Sequence, residues 1–399
     1  MKILEINKFN YLKGGADRHF LELVELLKAQ GNEVAVFAMD DAKNKFSPWS
    51  KYFVSYVGYG ANDSVWLKIK GAVTRFYSFE AKRKMRKLLD DFKPDVVHIH
   101  NIYHQISPSI LPEIKKRNIP LVMTVHDNKL VYPHYLPVRE SNDVCNFSFF
   151  DFIIKRKFKN SLIKSFLVAL EFEIVRYFNL YDKYVDTYLA PSQFTKNKLM
   201  EGGIAEEKII VLPHFSFRQN PVEKSEPSRT EKYVLHYGRL SKDKGVDRLI
   251  EIFKDLPEIN LYLAGKIEDD LKIPKLPNIK YLGFLSPKEI ERLIDNALLV
   301  VSASRLWETF GLVALETMLS GKPFIAFSGG AYAEIVEDAH SGYLVEDEQE
   351  MREKIKKLVD DENLRKIFYK NALERAKLFS AEIYYPKLRD IFQKLTKAR

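Results

Sequence analysis

The chain has 399 residues, 46% of them hydrophobic, with ordinary glycine and proline content, so two globular cores are expected and collagen-like or disordered classes are excluded. Its 63 Lys and Arg against 54 Asp and Glu leave a net charge of +9, which favours anionic ligands such as phosphates, nucleic acid or a lipid head-group surface. Cys145 is the only cysteine, which excludes an intrachain disulfide and a cysteine-based zinc cluster.

The N-terminus, MKILEINKFN, lacks the long apolar region of a signal peptide, and no segment offers about 18 uninterrupted apolar residues, so a cytoplasmic protein is expected. KILEINKF reads as a buried strand. Gly14 and Gly15 form a turn, a helix runs from Ala16 to Gln30 and stops at Gly31, and EVAVFA is the next strand. DVVHIHN (strand), LPEIKKRN (helix) and PLVMTVHD (strand) repeat the rhythm, which predicts a parallel sheet with helices on both faces.

Residues 149 to 180 break that rhythm with one long helical pattern rich in aromatic and basic residues. Two readings stay open: a helix packed on the first domain, or a membrane-surface helix using Lys155, Arg156, Lys157, Lys159 and Lys164 against anionic lipid. RQNPVEKSEPSRTEK, residues 218 to 232, has the composition of a linker.

Beyond it come YVLHYGRL (strand), VDRLIEIFKDL (helix), NLYLAG and IKYLGF (strands), SPKEIERLIDNA (capped helix) and LLVVSAS (strand). Two parallel α/β domains follow, with ligands expected beyond the carboxyl ends of the strands.

The segment RLWETFGLVALE carries the first chemical signal. With a strand ending near Ser304 and a helix starting around Phe310 or Gly311, the N–H groups of Phe310, Gly311 and Leu312 form a helix N-terminus suited to a phosphate. Glu308 precedes that terminus, and Glu316 lies about 7.5 Å into the helix at 1.5 Å per residue. The pair would span a sugar diphosphate, one acid for sugar hydroxyls and one for ribose hydroxyls. Most glutamates are simply surface acids, but Glu316 sits inside the apolar run VALETML, where an unpaired carboxylate is costly. GRLSKDKG places Arg239 just beyond a strand and Lys244 near the next helix, where two cations would neutralise a diphosphate leaving group.

GRLSKDKG, ETFGLVALE and GKPFIAFSGGAYAEIV, preceded in order by KGGADRHF, DVVHIHN, TVHD and APSQFTKNKL, resemble the retaining, nucleotide-sugar-dependent glycosyltransferases of family four, group 1 type. The resemblance covers nearly the whole chain. It implies the α/β GT-B architecture: two Rossmann-like domains whose parallel sheets face an interdomain cleft. The acceptor domain would span residues 1 to 213, joined by a C-terminal helix at about 381 to 399. The nucleotide-sugar domain would span 214 to 380.

The resemblance assigns Glu308 to the donor sugar, Glu316 to the ribose, and Arg239 and Lys244 to the diphosphate. It makes His126, at the end of a first-domain strand, a contact of the donor sugar and the reaction centre. It lines the acceptor side with the Gly14–Gly15 loop, and it places Gly265, Gly283 and Phe284 at the nucleobase. Gly329 and Gly330 match a glycine loop near the donor. After VLP, where such proteins usually carry asparagine, this chain has His214, to which no role is carried over.

His98 and His100 alternate along DVVHIHN and are expected on opposite faces of the strand, which argues against a metal pair and leaves His100 as an acceptor-side residue. Asp127 reads as a capping residue.

No D-x-D element of the metal-dependent kind is recognisable, so metal-independent departure of the leaving group is expected, with no cofactor beyond a UDP- or GDP-linked sugar donor. The acceptor would be a hydroxyl of a glycan, polysaccharide or lipid-linked molecule, with peripheral contact to an anionic membrane and none to nucleic acid. Two rivals remain: a nucleotide-sugar epimerase of the same fold, and a nonenzymatic basic membrane-surface binder.

Overall fold

In the computed structural model of the chain, residues 1–57, 71, 74, 76–104, 106–133, 147–158, 160–216, 231–268 and 271–398 are described. Cys145, Lys159 and all but the last two residues of the expected linker lie outside them. The chain forms two compact units, divided at Phe215/Ser216, with the segment from Ala381 returning to the first.

Unit 1 runs through β1 (Lys2–Ile6), α1 (Gly15–Ala29), β2 (Glu33–Phe37), α2 (Phe79–Phe92), β3 (Val96–Ile99), α3 (Leu111–Lys115) and β4 (Leu121–Thr124). It continues through α4 (Phe149–Ile154), α5 (Leu162–Tyr177), β5 (Thr187–Ala190), α6 (Gln193–Glu201) and β6 (Ile209–Val211). Its strands pair in parallel in the order β2-β1-β3-β4-β5-β6. The sheet is covered because α1 repeats apolar residues at helical spacing: Phe20, Leu23, Val24 and Leu27 are all buried. The helix α13 (Ala381–Lys397) adds Ala381, Tyr384, Leu388 and Phe392 to a core with Leu23, Val96, Leu212 and Phe215.

Unit 2 repeats the plan with β7 (Tyr233–Tyr237), α7 (Val246–Lys254), β8 (Asn260–Ala264), β9 (Ile279–Tyr281), α8 (Pro287–Asn296) and β10 (Leu299–Ser302). It ends with α9 (Leu312–Leu319), β11 (Phe324–Phe327), α10 (Tyr332–Ile335), β12 (Gly342–Val345), α11 (Glu348–Asp360) and α12 (Glu362–Ala376). The parallel order is β12-β11-β10-β7-β8-β9. Strand order therefore reverses between β1 and β3 in one sheet and between β7 and β10 in the other, and loops leaving neighbouring strands in opposite directions open a crevice at each point.

The aromatic and basic stretch is two helices rather than one. Ser148 and Ser161 cap α4 and α5, and Arg156 and Asn160 between them take left-handed backbone, at φ 48 in both cases. The inner face of the pair buries Phe152, Val168 and Ala169 with Tyr132, while Phe150, Ile154 and Ile163 stay more than 70% exposed. Among the described residues no helix is long and apolar enough to cross a membrane.

Candidate active site

In unit 2 the polar residues singled out from sequence gather at the β7/β10 switch point. The loop after β7 carries Arg239 and Lys244, and the loop after β10 carries Glu308. Lys244 Nζ lies 2.5 Å from Glu308 Oε1, and Ser304 Oγ donates to the same oxygen at 2.9 Å. The two loops are joined directly: the Arg305 amide donates to the Asp243 carbonyl at 2.9 Å. Arg239 is held by two acids, Glu268 at 3.1 Å and Asp243 at 3.2 Å. The loop after β11 enters as well, because the Ala331 amide donates to the Glu308 carbonyl at 2.9 Å.

Helix α9 begins one residue later than expected, at Leu312. Gly311 caps it at φ 97, and a Cβ there would meet the Tyr332 ring at 2.6 Å, so both conformation and space require glycine. The amides of Gly311, Leu312 and Val313 precede the first intrahelical bond, made by Ala314, and mark the positive end of the helix. The Phe310 side chain is buried in the core against Phe379.

Glu316 is 8% exposed, and the Tyr237 hydroxyl lies 3.0 Å from its Oε2. That contact answers how an acid sits in an apolar run: it is hydrogen-bonded from β7. Tyr237 escaped the sequence reading, because a tyrosine at the end of a strand breaks no local pattern.

Gly265 and Gly283 have structural duties. Gly265 donates to the Gly283 carbonyl at 2.8 Å, and a Cβ on Gly265 would strike the Gly238 carbonyl oxygen at 1.7 Å. These glycines bring the ends of β7, β8 and β9 together, and Phe284 beside them is 79% exposed.

In unit 1 the structure corrects the strand argument. Residues two apart in a strand share a face, and His98 and His100 both turn to Glu5 on β1, at 3.0 Å to Oε1 and 2.9 Å to Oε2 respectively. Three donor atoms of Glu5, His98 and His100 lie within 4.8 Å of one another, so the opposite-face argument against a metal pair does not hold.

The second nitrogen of His100, Nδ1, lies 2.8 Å from His126 Nε2. His19 and His214 meet with ring centroids 3.9 Å apart and planes tilted by 30°, and the His214 and His126 centroids are 5.0 Å apart. Burial first, then the neighbouring imidazoles, holds His19, His100 and His126 well below the usual histidine range, and burial pushes His214 down to about 3. Glu5 and His19 were missed, yet a carboxylate inside the apolar run KILEI was a legible sign.

Gly14 and Gly15 do not use glycine's conformational range. Gly14 is extended at φ −162, neither residue has positive φ, and a Cβ on Gly14 would make only an ordinary contact with Asp17 at 3.9 Å. Asp127 caps the turn at Asn128–Leu130 by accepting from the Lys129 amide.

Comparison with known proteins defines the class. Residues 13–215 match the model of Glycosyltransferase Family 4, and residues 217–375 match that of glycosyl transferases group 1. The chain belongs to glycosyltransferase family 4, and its two-domain α/β architecture is the GT-B fold.

A glycosyltransferase of Methanocaldococcus jannaschii is 33% identical over 221 residues, which spans 53% of this chain and 60% of the relative's length. Among solved structures, sucrose-phosphate synthase from Thermosynechococcus elongatus superposes with a TM-score of 0.73 at 17% identity, covering 100% of both chains. HepE of Anabaena, solved in complex with UDP, gives 0.68 at 20% identity over 99% of this chain and 100% of its own.

Proposed function

We propose that the chain transfers a sugar from a nucleoside diphosphate sugar, UDP- or GDP-linked, to a hydroxyl of a glycan or lipid-linked acceptor, with retention at the anomeric carbon. The observation that carries this reading is the meeting of Lys244, Glu308 and the N-terminus of α9 at the switch point of unit 2. A diphosphate placed there takes Lys244, Arg239 and the helix amides as its positive partners. Glu308, released from Lys244, accepts from hydroxyls of the donor sugar, and Glu316 accepts from the ribose.

In the reaction the bond from the anomeric carbon to the phosphate oxygen breaks, and a bond to the acceptor oxygen forms on the same face. The acceptor proton passes to the departing phosphate. Lys244, Arg239 and the helix terminus stabilise the charge that accumulates on the diphosphate, which is the work a divalent cation does in other enzymes, so transfer proceeds in EDTA. His126 binds a sugar hydroxyl. The complex of Anabaena HepE with UDP supports the choice of donor class.

The test is incubation of the protein with UDP- and GDP-sugars and candidate acceptors in EDTA, with proton NMR of the product's anomeric centre. A product of the donor's anomeric configuration supports the reading; inversion, or an epimerised sugar nucleotide formed without acceptor, defeats it.

Peripheral contact with an anionic membrane belongs to the same proposal, through the outer face of α4 and α5. There Phe150, Ile154 and Ile163 are exposed beside Arg156 and Lys164. Flotation with anionic vesicles is expected, and Phe150→Ser with Ile163→Ser reduces it; equal recovery of the double variant contradicts the assignment.

A further inference from the structure

A single line of hydrogen bonds runs through unit 1 from Thr124, the last residue of β4, to His126 just beyond it, by way of Glu5 on β1 and the two histidines at the end of β3. Thr124 Oγ1 lies 2.8 Å from His98 Nε2, and His98 Nδ1 lies 3.0 Å from Glu5 Oε1. Glu5 Oε2 lies 2.9 Å from His100 Nε2, and His100 Nδ1 lies 2.8 Å from His126 Nε2. Glu5, His98 and His100 are wholly buried.

We propose that Glu5 is a positioning residue: acting through His100, it sets which ring nitrogen of His126 carries the proton, so that His126 meets a sugar hydroxyl at Nδ1 as a hydrogen-bond acceptor. The clause about the sugar rests on the glycosyl-transfer reading above; the proton arrangement does not.

The protons follow from counting donors and acceptors. An ionised carboxylate only accepts, so the nitrogens facing Glu5, His98 Nδ1 and His100 Nε2, both carry hydrogen. A neutral imidazole has one N–H, which leaves the lone pair of His100 on Nδ1. That lone pair faces His126 Nε2, so His126 must donate from Nε2, and its own lone pair falls on Nδ1. At the other end, His98 Nε2 accepts from the Thr124 hydroxyl.

A neutral His100 ring is what this surrounding favours. His100 lies among His98, His126, His19 and His214, and a second proton on it would add a buried charge beside four other imidazoles. The polarity of His126 is thus dictated two hydrogen bonds away, by one carboxylate on β1. Register explains why the carboxylate is there: Glu5 is the Cα partner of His98 across the β1/β3 pair.

A metal ion on the same triad predicts the opposite pattern. It would take the lone pairs of His98 Nδ1 and His100 Nε2, move the His100 proton to Nδ1, and force the His126 proton onto Nδ1. The two arrangements are therefore distinguishable without any activity assay.

The experiment is long-range proton–nitrogen-15 correlation of the imidazoles in the intact wild-type chain at neutral pH, stripped with EDTA and then titrated with zinc, with signals assigned by His100→Gln and His126→Gln. We expect His100 and His126 both protonated at Nε2, unchanged by zinc. A proton on Nδ1 of His126, or displacement of the His98 and His100 signals by zinc, overturns the proposal.

Glu5→Leu, which keeps a similar volume but removes both acceptor oxygens, is expected to perturb the His126 tautomer. It should also lower kcat on the order of tenfold or more, with nucleotide Kd unchanged. An unchanged tautomer and kcat in that variant would also overturn the proposal. Thr124→Val removes only the far hydroxyl and is expected to leave His126 as it was. If the wild type shows the expected tautomers but transfers no sugar, the glycosyl-transfer reading fails and the proton line stands.

Discussion

Lys244 and Glu308 neutralise each other at 2.5 Å, yet both keep partial exposure, 24% and 17% of their side chains. A pair of that kind contributes little to stability and is positioned to exchange partners. Lys244→Ala is therefore expected to leave the melting temperature nearly unchanged while lowering kcat by about 100- to 1,000-fold, the usual loss when one donor to a developing anion is removed. A variant that melts early at full activity would assign the pair a structural role instead.

Gly311 is the converse case. Its φ of 97 and the 2.6 Å approach of the Tyr332 ring make Gly311→Ala destabilising by about 1–3 kcal/mol, readable in a denaturant titration. Glu316 was legible in the letters as an acid in an apolar run, and Arg239, Lys244 and Glu308 by their places just beyond strands and ahead of helices. Tyr237 was not, since a tyrosine ending a strand breaks nothing; only the fold reveals that its hydroxyl reaches Glu316.

At the scale of elements, strand ends and the helix–strand alternation were readable from periodicity, and helix α8 from its cap. Ser286 and Glu289 form the capping box with Pro287 at the first turn. Ser286→Ala should cost about 1 kcal/mol in the same titration.

The division of the 149–180 segment was hidden because apolar residues continue through the turn. The face shared by His98 and His100 follows from strand geometry alone, but their partner, Glu5, comes from register with β1, which no local pattern states. That cluster has a consequence for acid stability. His19, His100, His126 and His214 are held neutral in the fold, well below the ordinary value of 6.5.

Below pH 6.5 the unfolded chain binds more protons than the folded one, so unfolding free energy falls with pH, for His214 down to about 3. Each such ring contributes about 1.4 kcal/mol per pH unit within its window. His214→Asn should remove one ring's share and flatten the dependence of melting temperature between neutral and mildly acid pH; an identical slope would contradict the buried-neutral assignment.

At the scale of the molecule, two reversals of strand order, one in each sheet, account for where the polar residues collect. The chain repeats one plan twice, and each half places its chemistry beyond the carboxyl ends of parallel strands: Arg239, Lys244, Glu308 and Glu316 in unit 2, and the histidine line ending at His126 in unit 1. Family membership and architecture were readable because motifs recur in order along nearly the whole sequence. A donor's base and sugar were not, since the glycines at the ends of β8 and β9, where the resemblance places the nucleobase, present backbone, and backbone leaves no mark in residue identity.

In the proposed reaction unit 2 binds a nucleoside diphosphate sugar through Glu316 and the α9 terminus without metal. Thermal unfolding in EDTA against UDP, GDP and their sugars, on wild type and Glu316→Ala, tests it most directly. One nucleotide family at about 100 times its Kd should add about 2.7 kcal/mol to the wild type. The variant should bind about 10- to 100-fold more weakly, from loss of a charged hydrogen bond worth ~1.5–3 kcal/mol. No shift with any nucleotide in the folded wild type, or an equal shift in the variant, would contradict metal-free donor binding at this site.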